Sequence, residues 1–519
     1  MQKLLFSRVV TEGIRNSGSA SNSVELSGST PGPFVPPTVV VPLIVACALF
    51  MEMVDSTVIT TSLPVIAHDL HKDPIVLKLG LTAYLLSLAV FIPVSGWMAD
   101  RFGGRTVFCA SIGVFMVSSM SCGFAHSFGF FVAARFVQGA GGAMMVPVGR
   151  IVVLRSVPRE ELVTALAYLS TPAMLGPVIG PPLGGFITTY LNWRWIFFVN
   201  IPISIVGILM ALRFMEDFRE PQVPRLDLTG FLLSASGLLT AMFGLTTITD
   251  GLMPRSMSLG CIGFGAVAIC AYLYHARHTA QPLLELRFFK LRTFWVGVGG
   301  GSLFRLGIGS LALLLPLLMQ LGFGLSPLRS GLITCAVATG SVVMKPLAKP
   351  VLRIFGFHSV LLYNALISGI FIACFGLFRV TTPHWLIFIV LLTAGLFHSL
   401  HFTALNAITY ADVPDVDVSQ ATSIFAMVQQ LSLGSGVAAG AFALEASSFL
   451  QHHSHIVAAD FWPAFLVLGL TSMTAAISVL SMSPDAGAEM AGRAPARQLE
   501  KTASAETLRD EIEVIGPGD

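Results

Sequence analysis

The chain has 519 residues, 54% of them hydrophobic and only 11% charged, with a mean hydropathy of +0.79. A soluble domain carries about 25% charged residues, so a water-coated globule of this size is excluded and an integral membrane protein with many spans is indicated. The formal net charge of +2 says nothing by itself about partners, and no nucleic-acid partner is expected.

Residues 1–37, rich in Ser, Gly and Pro, read as a disordered tail, and MQKLLFSRVVTEGIRNSGSASNS has no long apolar stretch ending in a small-residue cleavage site. With about 20 apolar residues per span, candidate spans fall near 38–63, 77–98, 106–125, 129–154, 161–187 and 193–214. A pair follows near 228–248 and 257–275, then a last group near 293–320, 328–348, 359–379, 384–409, 420–446 and 461–482. That is fourteen spans, read as a six-helix bundle over 38–215, two extra helices and a connector over 216–292, and a second six-helix bundle over 293–482. Residues 483–519, where charge returns, read as a second disordered tail. The seven cysteines all lie in apolar runs without CxxC spacing, so they read as small apolar fillers.

With the N-terminus inside, 22 of the 30 Lys and Arg fall on inner segments and 6 on outer ones, Lys72 and Lys78 among the latter. This asymmetry predicts an even number of spans with both termini cytoplasmic. Only Arg135 and Arg305 stand in mid-span. A weak internal repeat pairs residues 93–107, PVSGWMADRFGGRTV, with 346–360, PLAKPVLRIFGFHSV, matching Pro93 to Pro346 and Gly103 to Gly356. Parallel repeats of this kind mark transporters in which one half rocks against the other.

Five stretches carry a resemblance. GWMADRFGGR (96–105) resembles the loop between the second and third helices of the major facilitator superfamily. VDSTVITTSLP (54–64), RFVQGAGGA (135–143), GPVIGPPLGG (176–185) and WRWIFFVNIP (193–202) are similar, in order, to signatures of its fourteen-helix drug:proton antiporters. The resemblance covers residues 38–482. It implies an all-α major facilitator fold arranged 6+2+6, alternating access, and a proton as the coupling ion with no other cofactor. It assigns proton coupling to Arg135, with Gln138 nearby, and aligns the helix-1 motif on Asp55, where a buried carboxylate can take up a proton. Thr60 stands where that motif usually has Asn, so hydrogen bonding around Asp55 is expected to differ from relatives.

The residues have physical readings of their own. Glu52 and Asp55 are i, i+3, so one helix face can aim both at an interior cavity and away from lipid. Glu52 lies outside the motif and reads as a substrate-facing acid or as the partner of Arg305. Arg135 needs an anionic or carbonyl partner, because a guanidinium cannot shed its proton. Arg305, behind Gly299, Gly300 and Gly301, can bind an anionic group or pair with an acid. His398 and His401, i, i+3 on one face, suit a proton relay or substrate contact, against a plain reading as hydrogen-bonded packing residues.

In the 96–105 loop, Gly96 would allow close helix approach and Gly103 a tight turn, while Asp100, Arg101 and Arg105 can form a charged latch. Gly104 and Thr106 replace basic residues common in the pattern, which would weaken it. In the 176–185 stretch Gly176, Gly180 and Gly184 lie on one face as a small-residue packing seam, beside Gly185 and the helix-bending Pro177, Pro181 and Pro182. His452, His453 and His455 read as an outer loop rather than a metal site. Asp412, Asp415 and Asp417 read as a solvated inner loop, and residues 286–291 as an amphipathic connector on the inner membrane surface.

The chain has no GxxxxGK[ST] phosphate loop, HExxH or GxSxG, so neither ATP-driven transport nor an enzyme is indicated. The expected function is proton-coupled efflux of small organic compounds from a monomer in the inner or plasma membrane. Two alternatives stand beside it: export of an endogenous metabolite such as an organic acid or metal chelate, and a membrane sensor.

Overall fold

A computed structural model describes residues 37–157, 161–220, 223, 225–248, 253–279, 282–414, 417–453, 456–487 and 490. The tails read as disordered fall wholly or almost wholly outside these residues, and so do Asp415 and His455. The described secondary structure is helical throughout, as lipid requires of a chain whose backbone polar groups must pair within the segment.

The first set of helices runs α1 (Pro37–Val58), α2 (Leu63–Asp69), α3 (Lys78–Phe102), α4 (Gly104–Gly123), α5 (Phe128–Ser156), α6 (Leu162–Tyr190), α7 (Trp195–Phe198) and α8 (Asn200–Phe214). A pair follows, α9 (Leu228–Thr247) and α10 (Arg255–His278). The second set is α11 (Arg292–Trp295), α12 (Gly301–Leu317), α13 (Pro327–Phe355), α14 (Phe357–Phe375), α15 (His384–Ile408), α16 (Val418–Leu450), α17 (Phe461–Met473) and α18 (Ala475–Val479). Among the described residues thirteen helical segments are long and apolar enough to cross a membrane. They match the sequence-derived spans one for one except 161–187, where α6 is a single helix of 29 residues. The helices overrun several apolar runs: α13 continues past 348 to Phe355 through Lys349 and Arg353, because polar residues at a span end still complete the helix.

The repeat is structural as well as sequential. α3 gives way to α4 at Gly103 and α13 to α14 at Gly356, with φ of +98° and +76°. Each glycine adopts a backbone conformation that an L side chain resists, so each makes the sharp turn that separates two antiparallel spans. Side-chain caps start other helices: Asp227 accepts from Gly230 N at 2.9 Å ahead of α9, and Ser326 from Arg329 N at 3.4 Å ahead of α13, which has Pro327 at its first position.

Close packing comes from small residues, as expected where lipid offers no hydrophobic drive between helices. A Cβ at Gly139 would lie 2.5 Å from Tyr84 O of α3, and one at Gly141 2.8 Å from Phe115 N of α4, so α5 wedges between those helices. The α6 seam is present: Gly176, Gly180 and Gly184 face Met53, Thr57 and Val58 of α1, while Gly185 abuts Pro327 of α13. Gly96 departs from expectation, since a Cβ there would meet nothing within 4 Å.

One apolar core joins the two sets of helices, with Val54, Leu63 and Phe131 packed in the same cluster as Leu313, Ile333 and Phe465. It lies toward the end of the molecule where α1 and α6 finish and α13 begins. Polar contacts bridge the sets there too: Gln320 Nε2 donates to Thr61 O at 2.8 Å, Leu328 N to Thr189 Oγ1 at 3.2 Å, and Lys78 Nζ stands 3.5 Å from Glu445 Oε1. Lys78, counted from sequence with the outer segments, is buried in the first turn of α3, where Glu445 of α16 faces it.

Candidate functional site

A densely bonded charged site inside the bundle centres on Asp55 of α1. Arg135 and Gln138, i, i+3 on one face of α5, both reach it. Arg135 Nη1 donates to Asp55 Oδ2 at 2.6 Å, and Gln138 Nε2 donates to Asp55 Oδ1 at 2.9 Å. The same Nη1 donates to Gln138 Oε1 at 2.7 Å, which locks the two α5 side chains together. Asn200, the first residue of α8, gives a third donor, Nδ2 to Asp55 Oδ1 at 2.9 Å, and also reaches Ser119 Oγ of α4 at 3.0 Å. The Tyr84 ring of α3 lies 4.4 Å beneath the guanidinium, and Gly80 O accepts from Arg135 Nε at 3.4 Å.

Both charged side chains are fully buried. An isolated buried ion costs several kcal/mol, so the pair persists only because each charge answers the other and neutral donors fill the carboxylate's remaining lone pairs. Arg135 therefore does not snorkel to a surface. Thr60 takes no part, its hydroxyl turning back to Thr57 O at 2.7 Å. Asn200 and Tyr84 were not singled out from sequence. Asn200 stands inside WRWIFFVNIP, which is the signal that points to it.

Glu52 lies one turn before Asp55, buried, with Oε2 lacking a hydrogen-bond partner. A Cβ at Gly142 would touch both Tyr84 Oη (3.1 Å) and Glu52 Oε1 (3.8 Å), so the acid and the phenol share one small space against α5.

Arg305 is a further buried cation, besides Arg135 and Lys78, and it does not pair with Glu52. Its Nη1 donates to Gly297 O at 3.1 Å, a carbonyl of the π turn Val296–Gly300 that occupies the glycine-rich stretch. Phe402 and Phe425 stand 5.5 and 4.7 Å from its guanidinium carbon, and Nε and Nη2 have no partner. The local carbonyl and the two rings hold it in the second set of helices, away from the Glu52 neighbourhood on α1. His398 and His401 are buried beside Phe304, at centroid distances of 6.3 and 4.0 Å.

The 96–105 latch forms with other partners than expected. Asp100 pairs with Arg155 at 3.2 Å, and Arg155 with Glu220 at 2.8 Å. Arg105 donates instead to Met215 O at 3.2 Å, Arg101 is exposed, and Thr106 Oγ1 donates to Asp217 Oδ2 at 3.1 Å. The segment 215–220 folds over the turn and captures these groups, Glu220 N donating to Asp100 O at 3.1 Å. Of the inner acidic residues, Asp412 is exposed and accepts from Thr293 Oγ1 at 2.8 Å, and half-buried Asp417 accepts from Arg287 Nη2 at 2.6 Å. His453 bonds to buried Asp460 at 2.8 Å, and among the described residues no group of three or more His, Cys, Asp or Glu is placed to hold a metal.

Residues 45–273 and 297–511 match the family model of the Major Facilitator Superfamily. The chain is 38% identical over 413 residues to "Putative multidrug resistance protein MdtD" of Serratia proteamaculans, covering 79% of this chain and 85% of that one. It is 36% identical over 450 residues to the protein of the same name in Klebsiella pneumoniae, covering 85% and 94%. Among solved structures, the POT family transporter PepTSo superposes with a TM-score of 0.64 at 14% identity, covering 86% of this chain and 98% of the other. A D-xylose-proton symporter does so with a TM-score of 0.61 at 15% identity, covering 86% and 98%. Five motifs in order, an all-helical bundle with a structural repeat and these matches agree: the chain belongs to the Major Facilitator Superfamily and is a multi-pass membrane transporter.

Proposed function

We propose that this transporter exports small organic compounds in exchange for protons, with Asp55 as the proton-binding group. The observation that carries the reading is the buried Asp55–Arg135 pair with its Gln138 and Asn200 donors. A proton on Asp55 would cancel half of the ion pair and leave Arg135 to be satisfied by Gln138 Oε1, Gly80 O and the Tyr84 ring. The helices that meet at the pair, α1, α3, α4, α5 and α8, would then favour a different arrangement. The multidrug-resistance names of the relatives support an organic cargo.

Alternating access requires one closed end at a time. The apolar core and polar bridges between the two sets of helices seal the end carrying Gln320, Thr61, Lys78 and Glu445. The distribution of Lys and Arg makes that the outer end, so the described arrangement is one closed to the outside, in a fourteen-span monomer of the inner or plasma membrane with cytoplasmic termini. Loss of the Asp55 charge is the step that couples outer opening to the proton. A transport screen of drugs and metabolites in proteoliposomes, with an imposed pH gradient, tests the reading: proton flux that depends on a cargo supports it, and uptake indifferent to the gradient sinks it.

Arg305 favours a second reading, export of an anionic metabolite such as an organic acid or metal chelate. Its unpartnered Nε and Nη2 are donors of the kind a carboxylate satisfies in pairs. The same screen separates the two, because Arg305→Ala would then abolish transport of anionic cargo alone.

A further inference from the structure

A crevice beside the α9–α10 pair takes no part in the coupling reading. α9 and α10 are held together by small residues: a Cβ at Gly265 would lie 2.6 Å from Ala241 N, and one at Gly244 2.6 Å from Ser258 O. α9 in turn rests on α3 and α16. Toward the C-terminal end of α10, the helix, the connector Leu286–Lys290 and α16 separate and enclose a space of about 410 Å³. Its walls are apolar, with Leu238, Ile269, Leu273, Phe289 and Met427 prominent, and Arg277 is the one charged residue that lines it. On α10, Leu273 and Arg277 are one turn apart, so the apolar wall and the charge share a face.

The charge at this rim is not cancelled within the protein. Arg277 is exposed and, among the described residues, makes no hydrogen bond or ion pair. Lys290 is in the same condition, and Arg292 meets only Ser481 O, at 3.2 Å. Arg287 differs, being neutralised by Glu285 and Asp417. The outer face of α10 is apolar and exposed, Val267 at 68% and Tyr274 at 70%, as a lipid-facing helix requires. The crevice is thus an apolar slot beside a lipid-facing helix, with the uncompensated Arg277 where the span ends and Lys290 in the connector next to its lining residue Phe289.

We propose that this slot binds one anionic phospholipid, an acyl chain lying between α10 and α16 and the phosphate resting on Arg277. An acyl chain satisfies the apolar walls, and a slot of this volume falls in the range of specific small-ligand sites. A guanidinium takes a phosphate through two parallel donors. Lys290 and Arg292 add to the attraction for a headgroup of net negative charge and oppose one that also carries an ammonium, and basic pockets between spanning helices are the usual sites for anionic headgroups.

The test uses the full-length protein, purified in neutral detergent and titrated with dioleoylphosphatidylglycerol or dioleoylphosphatidylcholine while bound lipid is counted by native mass spectrometry. The wild type is expected to hold phosphatidylglycerol at least roughly fivefold more tightly, the factor for one basic residue at a membrane surface. Arg277→Gln should reduce that severalfold toward the phosphatidylcholine level, Arg277→Lys should keep more of it, and Arg255→Gln, at the other end of α10, should change nothing. Met427→Trp, which fills the slot and leaves Arg277 in place, should weaken both lipids. If Arg277→Gln does not fold, the Lys and Trp variants carry the comparison. Equal retention of the two lipids by the wild type overturns the proposal, and so does an unchanged preference in Arg277→Gln or undiminished binding in Met427→Trp.

Discussion

Arg135 of α5 and Asp55 of α1 face each other at 2.6 Å with no solvent on either side chain. Whatever else these helices do, they must keep the two charges together or find each a substitute. That constraint makes the pair a natural place to couple protonation to helix movement, and it also makes the pair costly to break singly.

Removing one partner of a buried pair typically costs about 3–5 kcal/mol, because the remaining charge is left uncompensated. Asp55→Asn and Arg135→Gln should each lower thermal stability in detergent markedly. The double variant, which leaves no charge, should recover part of the loss, giving a coupling of about 1–3 kcal/mol in a double-mutant cycle. Strictly additive losses would mean that the two residues are stabilised by other groups and not by each other.

The α6 seam yields a steric expectation. Gly180 lies against Thr57 and Val58 of α1, leaving no room for a side chain. Gly180→Val should force α1 and α6 apart and destabilise by about 1–3 kcal/mol, the usual range for overpacking, whereas Gly96→Ala, with open space around it, should be silent. Thermal unfolding of the two variants side by side checks the contrast.

Lys78 and Glu445 close the sealed end between α3 and α16 at 3.5 Å. With Glu445 partly exposed, the pair is worth at most about 1 kcal/mol, which is roughly a fivefold bias in a two-state equilibrium. Lys78→Met should therefore favour opening at that end, read as faster thiol labelling of a cysteine placed at Thr189, which bonds Leu328 across the same seal. Unchanged labelling would remove the pair from the gate.

A pH dependence follows from Asp69, which lies beyond the first span. The Arg194 guanidinium (Nη1 at 2.6 Å) and the Trp193 indole N–H (2.9 Å) hold its carboxyl below the usual carboxylate range. A carboxyl lowered in the folded state stabilises above its unfolded pKa of about 3.9 and loses that contribution as pH falls through the folded value. Below about pH 4 the wild type should lose stability that Asp69→Asn lacks from the start, so the two melting curves should converge on acidification. Parallel curves down to pH 3 would contradict this.

Much of the fold was legible in the sequence because apolar run length and glycine turns are local signals. The spans and the paired turns at Gly103 and Gly356 follow from them. Asp55, Arg135 and Gln138 were legible because a charge in an apolar run demands explanation and a motif surrounded each one. Asn200 escaped because a lone amide at a helix start has no spacing partner until α8 is brought beside α1. The burial of Lys78 escaped for the same kind of reason: its partner Glu445 is far away in sequence, so nothing local marks it as paired. Arg305 took a carbonyl only eight residues back, Gly297, which the π turn presents and an ideal helix would not.

The central claim is that Asp55 carries the coupled proton. The most direct measurement is efflux of a transported compound from proteoliposomes under an imposed pH gradient, comparing wild type with Asp55→Asn at matched protein incorporation, with cargo binding measured in parallel. The account predicts that Asp55→Asn still binds cargo but loses gradient-driven transport by at least about tenfold, the effect of roughly 1.4 kcal/mol on the coupled step. Gradient-dependent efflux at the wild-type rate in Asp55→Asn would contradict it.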